Sequence, residues 1–203
     1  MIYYVPQNIE DYCLDFEVCS ALDGWSVAHE IIYWGDIPDN FDEWEIKDDR
    51  GWSVAHTAAK QGKLPKDFNQ WEIKDNEGWS VAHTATEWEN LPEDFNRWGI
   101  KDNKGWSVAH VAAALGYLPE GFDKWKIKDN RGRSVAHEFA YWRRLPKDFN
   151  KWGIKDNKGW SVAHEAAKQR TLPEIFNQWD IKDNFGWSVG DEYRARHRDK
   201  TWG

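Results

Sequence analysis

Seven histidines stand in this chain of 203 residues, and six of them, His29, His56, His83, His110, His137 and His164, recur at intervals of 27 residues. Imidazole can ligate a metal or move a proton near neutral pH, so a row of them invites either chemistry. The spacing argues against both. Equivalent side chains on stacked helices inherit the backbone separation, about 8–10 Å, whereas zinc holds its nitrogen ligands at about 2 Å. A ladder of equivalents cannot share one ion. Each histidine instead follows a serine by three residues, as His56 follows Ser53 and His110 follows Ser107. That places it on the first turn of a helix capped by the serine, where a ring nitrogen can bond the serine or the backbone of an adjacent turn. The histidines are expected to be structural, with no metal and no cofactor.

Other catalytic arrangements are equally weak. No nucleophile stands beside a base outside the repeated context, and no Gly-rich loop precedes a helix as a phosphate site requires. Asp48-Asp49, and Glu87 with Glu89, are expected to be exposed turn or helix-end acids. Cys13 and Cys19 are the only cysteines and both precede the first full repeat, too few for a disulfide framework or a zinc knuckle. No catalytic residue is expected, and the chain reads as non-enzymatic.

The elements that must position these residues follow from the period. Gly-Trp-Ser-Val-Ala-His occurs at 24–29, 51–56, 78–83, 105–110 and 159–164, and Gly132-Arg133-Ser134-Val135-Ala136-His137 fills the remaining place. A fixed period of this length is the mark of a stacked repeat protein. Six complete units run over 24–185 and a seventh begins at Gly186 and decays. In the unit that starts at Gly51, Ser53 is a good N-cap, Val54 to Gln61 has no breaker, and Gly62 supplies the stop. Pro65 then suits the first turn of a second, shorter helix reaching to about Trp71, with Leu64, Phe68 and Trp71 on one face. A polar turn through Asp75-Asn76 leads to the next unit. Helices this short are marginal alone, so stability must come from stacking, helped by small residues such as Ala58-Ala59. Trp44, Trp71, Trp98, Trp125, Trp152 and Trp179 are expected in the core. Residues 1–23, where Ile9, Cys13, Phe16 and Val18 echo the second-helix spacing, read as an N-terminal cap. Residues 186–203, where Asp191 takes the histidine place and Tyr193-Arg194 the Ala-Ala place, read as a C-terminal cap. The whole is expected to be one continuous, all-α solenoid domain.

The stretch Asp102-Asn103-Lys104-Gly105-Trp106-Ser107-Val108-Ala109-His110-Val111-Ala112-Ala113-Ala114-Leu115-Gly116 resembles the ankyrin repeat, in which Asp-x-x-Gly-x-Thr-Pro-Leu-His-x-Ala-Ala-x-x-Gly is followed by a longer second helix. The family period is about 33 residues, and the shortfall here lies in the second helix and its turn. The resemblance implies an ankyrin-like helical solenoid that binds a protein partner through a concave face lined by turn tips and by the ends of the first helices. On that implied face fall Tyr33, Trp34, Glu87, Trp88, Glu89, Leu115, Tyr117, Tyr141, Trp142 and Arg143. Trp34, Trp88 and Trp142 stand in alternate units, as a row of exposed anchors would, though each could instead fill a hole left by its neighbours. Trp52, Trp79 and Trp106, with Trp25, Trp160 and Trp187, occupy a partner-facing slot in the family, but their constancy fits an internal packing ladder equally well. Arg133 is its one interruption.

Charge is polarised along the chain. Residues 1–100 carry 7 Lys and Arg against 21 Asp and Glu, and residues 101–203 carry 20 against 14. An acidic, tryptophan-bearing half suits a partner protein with a basic surface, such as a nucleic-acid-processing or host-defence enzyme that the chain would block. Two further readings stand beside this one: head-to-tail self-association of acidic and basic ends, and stacking of single-stranded nucleic acid or glycan on the indoles. Repulsion of phosphate by the acidic half weighs against nucleic acid. Mean hydropathy is −0.87, no run approaches the ~18 apolar residues of a membrane span, and Met1-Ile2-Tyr3-Tyr4-Val5 lacks the features of a secretion signal. No membrane partner is expected, and the expected location is the cytoplasm of the source cell or of a host cell.

Overall fold

The computed structural model describes residues 24–38 and 40–197. The expected N-terminal cap at 1–23 and the last residues of the expected C-terminal cap, 198–203, lie outside the described residues. The chain divides into two compact units, Met1–Asn103 and Lys104–Gly203. The first holds α1 (Val27–Trp34), α2 (Val54–Gln61) and α3 (Val81–Glu87); the second holds α4 (Val108–Leu115), α5 (Val135–Tyr141), α6 (Val162–Gln169) and α7 (Val189–His197). Within each unit consecutive helices pack against each other. Among the described residues the architecture is all-helical, and strand pairing is confined to isolated antiparallel bridges such as Lys47–Ser53 and Lys155–Ser161.

Each helix is started by the turn before it. Asp48 accepts the backbone N–H groups of Arg50 (2.9 Å) and Trp52 (2.7 Å) through Oδ1, and Gly51 closes the turn at φ 75°. A side chain on Gly51 would be strained in that conformation and its Cβ would also collide with the side chain and backbone nitrogen of Asn76 in the next repeat. The chain then enters α2 with its first donors already paired. Val54 N–H reaches Ile46 O (2.9 Å) and Ala55 N–H reaches Trp44 O (3.1 Å), while Ser53 Oγ caps His56 N–H. These are donors that a helix N-terminus otherwise leaves without partners. Val54, Ala55, Ala58 and Ala59 are fully buried, so small side chains let successive helices come together.

The expected second helix is absent. Residues 63–73 form two reverse turns joined by an extended stretch, the first closed by Phe68 N–H to Pro65 O (3.0 Å) and the second by Ile73 N–H to Gln70 O (3.3 Å). The turns instead hold Phe68 and Trp71 edge to face (5.0 Å), and Trp71 continues to Phe95 of the next repeat (5.4 Å). The zipper runs from Phe41 to Trp98 in the first unit. In the second it runs from Phe122 through Trp125, Phe149, Trp152 and Phe176 to Trp179 and Tyr193. Trp44, Trp71, Trp98, Trp125 and Trp152 are core residues as expected; Trp179, with only Tyr193 beyond it in this zipper, is half-buried.

Candidate functional site

The serine and histidine of each repeat form a closed polar unit. Ser53 N–H (3.1 Å) and the Ser53 hydroxyl (2.7 Å) meet His56 Nδ1, while His56 Nε2 lies 3.0 Å from the carbonyl oxygen of Trp79 in the next repeat. A carbonyl only accepts, so Nε2 carries the proton and Nδ1 is the acceptor for both serine groups. The same bridge joins His29 to Trp52 O (3.0 Å), His110 to Arg133 O (3.1 Å), His137 to Trp160 O (2.9 Å) and His164 to Trp187 O (3.0 Å). Both ring nitrogens are thereby committed to the neutral ring. Burial pulls His56 down to about 4, with Lys47 and His83 adding to it while the Trp79 carbonyl and Asp48 oppose it. Burial also lowers His29, His137 and His164. The histidines are stitches between repeats, bonding serine and the adjacent turn as their spacing suggested.

In the first unit the indoles of Trp25, Trp52 and Trp79 lie over these histidines, at 5.7, 4.8 and 4.7 Å between ring centres. Trp52 Nε1 donates to Thr57 Oγ1 (3.1 Å). All three are half-buried, so the slot is neither core nor free surface: the helix covers part of each indole and the rest faces solvent. Trp25 continues to Tyr33 (5.5 Å) and Tyr33 to Trp34 (4.8 Å). Trp34 is 78% exposed and Trp88 48% exposed, with the Lys60 ammonium 4.8 Å above the Trp88 ring. Glu87 and Glu89 are exposed beside it. Thr84 is fully buried and its hydroxyl has no hydrogen-bond partner.

The second unit carries the same slots with different contents. Trp106 and Trp160 pack on His110 and His164 at 5.1 and 4.7 Å. Between them in sequence, Arg133 turns its guanidinium toward Glu138 (3.7 Å) and Glu165 (3.5 Å), both buried. Burial pushes the Glu138 carboxyl up, against the opposing pull of the Trp142 indole N–H, which donates to it at 2.8 Å, and of Arg133. Trp142 is 47% exposed, and Leu115, Tyr117, Tyr141 and Arg143 are exposed as well. The candidates Trp106, Leu115, Tyr117, Arg133, Tyr141, Trp142 and Arg143 thus belong to this unit, and Tyr33, Trp34, Trp52, Trp79, Glu87, Trp88 and Glu89 to the other. The sequence reading missed Glu138 and Glu165; with Glu30 and Glu192 they share one slot of the 27-residue repeat, a signal hidden by Thr57, Thr84 and Val111, which interrupt it.

The four residues after the Ala58-Ala59 place, Lys60 to Lys63 and their equivalents, vary from repeat to repeat and serve two purposes. Lys63 donates to Ile32 O (2.9 Å) and Gly35 O (2.7 Å), Asn90 to Ala59 O (2.9 Å) and Arg144 to Ala113 O (3.3 Å). Lys63, Asn90 and Arg144, the last of the four, thereby cap the helix of the preceding repeat, whereas Thr171 in the same place donates to Ala166 O of its own helix (3.3 Å). The position before it is extended at Gly35 and left-handed in the later repeats: Gly62 and Gly116 suit it, yet Glu89 (φ 58°), Arg143 (φ 60°) and Arg170 (φ 60°) stand there too.

No family model and no curated protein matches the sequence. Among solved structures, the chain is similar to the crystal structure of the ankyrin repeat domain of Bcl-3, a member of the IkappaB protein family. The two share 17% identity over 86% of this chain and 96% of that one, with a TM-score of 0.64. A capped helix behind each turn, joined through its histidine to the next repeat of the same unit, gives this chain the fold of an ankyrin-repeat solenoid, with the second helix of the repeat reduced to turns among the described residues.

Proposed function

We propose that the chain is a non-enzymatic scaffold that binds a protein partner through the turn-side face of its helices. The observation that carries this reading is the exposure of Trp34, Trp88 and Trp142, three large indoles at equivalent positions whose contacts within the chain leave 47–78% of the surface in solvent. Such side chains are typical anchors of protein interfaces. The left-handed Glu89 and Arg143 support it, since a non-glycine residue costs about 1 kcal/mol there and strain is retained where the side chain has a use. The acidic excess of residues 1–100 favours a partner with a basic surface, such as the nucleic-acid groove of an enzyme that would be inhibited when covered. This reading takes 1–23 and 186–203 as caps on one continuous stack of repeats, and a cytoplasmic setting. It is tested by quantitative affinity capture from source cells with the wild type, Trp34→Ala and Trp88→Ala. A partner enriched by the wild type should be lost with either variant and kept by Ile175→Ala, an equally exposed apolar residue in the turn after Pro173. Capture indifferent to both tryptophans would refute the face. The opposed charges of the two halves favour one second reading, end-to-end self-association, which light scattering at low and high salt would reveal as salt-sensitive oligomers.

A further inference from the structure

The first unit contains a cleft that the exposed tryptophans at the helix ends do not account for. It measures about 580 Å³ and is lined by Trp25 and Trp52 with Asp48, Arg50, Asp75, Asn76 and Glu77 from two successive turns. Among the described residues of this lining are two indoles, three carboxylates and one cation, Arg50. The carboxylates of Asp48 and Asp75 are already oriented: each uses a single oxygen, Oδ1, to accept two backbone N–H groups of its own turn at 2.7–2.9 Å. Ordering them on binding therefore costs little.

We infer that this cleft receives an arginine side chain from a basic segment of the partner protein. The guanidinium is the group that matches both kinds of wall: it is planar, stacks on an indole, and pairs with carboxylates through a fork of donors, whereas an ammonium is a point charge held by its hydration. The volume falls within the roughly 300–1,000 Å³ of ordinary ligand sites. The acidic excess of residues 1–100, 21 acidic side chains against 7 basic ones, draws such a segment in. The chain also carries an internal contrast. Eighty-one residues on, the same slots hold Trp106, Asp129, Arg131, Arg133, Asp156, Asn157 and Lys158, so one indole has become an arginine and the place of Glu77 a lysine. The repeat geometry is retained and the charge reversed, so the second unit is built to refuse what the first takes.

This inference rests on the protein-binding reading and deepens it. The test uses the full chain labelled with ¹⁵N, observing the indole N–H resonances, with Trp25→Phe and Trp52→Phe to assign them. The probes are the peptide acetyl-Gly-Arg-Gly-Arg-Gly-amide, its lysine counterpart, and a short oligo-dT. The arginine peptide should shift the Trp25 and Trp52 signals and bind at least about fivefold more tightly than the lysine peptide. Glu77→Lys, which copies the residue type that Lys104 and Lys158 already place in this slot, should weaken the arginine peptide by about fivefold or more with an unchanged circular dichroism spectrum. Equal binding of the two peptides, shifts confined to Trp106 and Trp160, no shift at all, or indifference to Glu77→Lys would each overturn the assignment. So would oligo-dT shifting the same signals more strongly, which would make the cleft a base-stacking site. If Trp34→Ala and Trp88→Ala abolish capture while the peptide fails, only the cleft falls; if the peptide binds while capture ignores both variants, the helix-end face falls and the cleft stands.

Discussion

At the residue scale the chain's chemistry is that of neutral imidazoles. His56 accepts at Nδ1 and donates at Nε2, and a second proton at Nδ1 would face the Ser53 backbone N–H donor to donor. Its folded value of about 4 lies below the 6.5 of an unexposed-to-burial reference, so as pH falls the unfolded chain takes up the proton first. Its contribution is complete above pH 6.5 and is lost between 6.5 and 4, a swing on the order of 3 kcal/mol. His29, His137 and His164 are shifted in the same direction. Glu138, pushed up by burial, acts in the opposite sense and loses stability as pH rises from 4.5. Urea melts at pH 7.5, 6, 5 and 4 should therefore show a steep loss of stability below 6.5, and His56→Gln, which keeps a capping-box side chain, should flatten part of that slope. A pH-independent midpoint would show that the histidines are not buried neutral. Thr84 gives a second prediction. Its hydroxyl is buried without a partner, so Thr84→Val should raise stability by about 1 kcal/mol, read as a higher urea midpoint. The serine–histidine pair was legible in sequence because its partners are three residues apart, and a backbone partner in an adjacent turn was expected with it; which carbonyl that is, and the Arg133 contacts with Glu138 and Glu165, were not, because repeat packing alone brings them together.

At the scale of elements, the first helix of each repeat was legible from local signals. Ser53 starts it and Gly62 ends it, and the structure has Val54–Gln61 between them. The second segment was misread because its proline and its aromatic spacing also fit a helix. What decided it was the edge-to-face zipper that the turns allow, and no periodicity encodes a zipper between repeats. Trp71→Ala should cost about 3–5 kcal/mol because it removes a buried ring touching Phe68 and Phe95, and calorimetry should show it. Helix ends supply the opposite case. Glu89 and Arg143 occupy left-handed positions that Gly62 and Gly116 fill elsewhere, so Glu89→Gly and Arg143→Gly should each stabilise by about 1 kcal/mol. Destabilisation by either would mean that the side chain is held by contacts worth more than the strain.

For the whole molecule, stability should be a sum over repeats and their junctions. Removing one complete repeat, Gly132 to Lys158, should leave a cooperatively folded, shorter chain, whereas removing 13 residues from the same place should not, because it breaks the register of turn, cap and zipper; circular dichroism melts of both separate the cases. Function, in contrast, was legible only in outline, since the repeated residues report the stack and the departures from the repeat report the partner. The central claim is that the helix-end indoles bind a partner and do not hold the fold. The most direct measurement compares melting temperature and partner affinity for Trp34→Ala, Trp88→Ala and Trp98→Ala. The first two should keep the melting temperature within a degree or two, as exposed substitutions do, and weaken binding about tenfold or more. Trp98→Ala, which removes a buried ring, should unfold its repeat. Binding unchanged by Trp34→Ala and Trp88→Ala, or melting temperatures that fall as far as that of Trp98→Ala, would contradict the account.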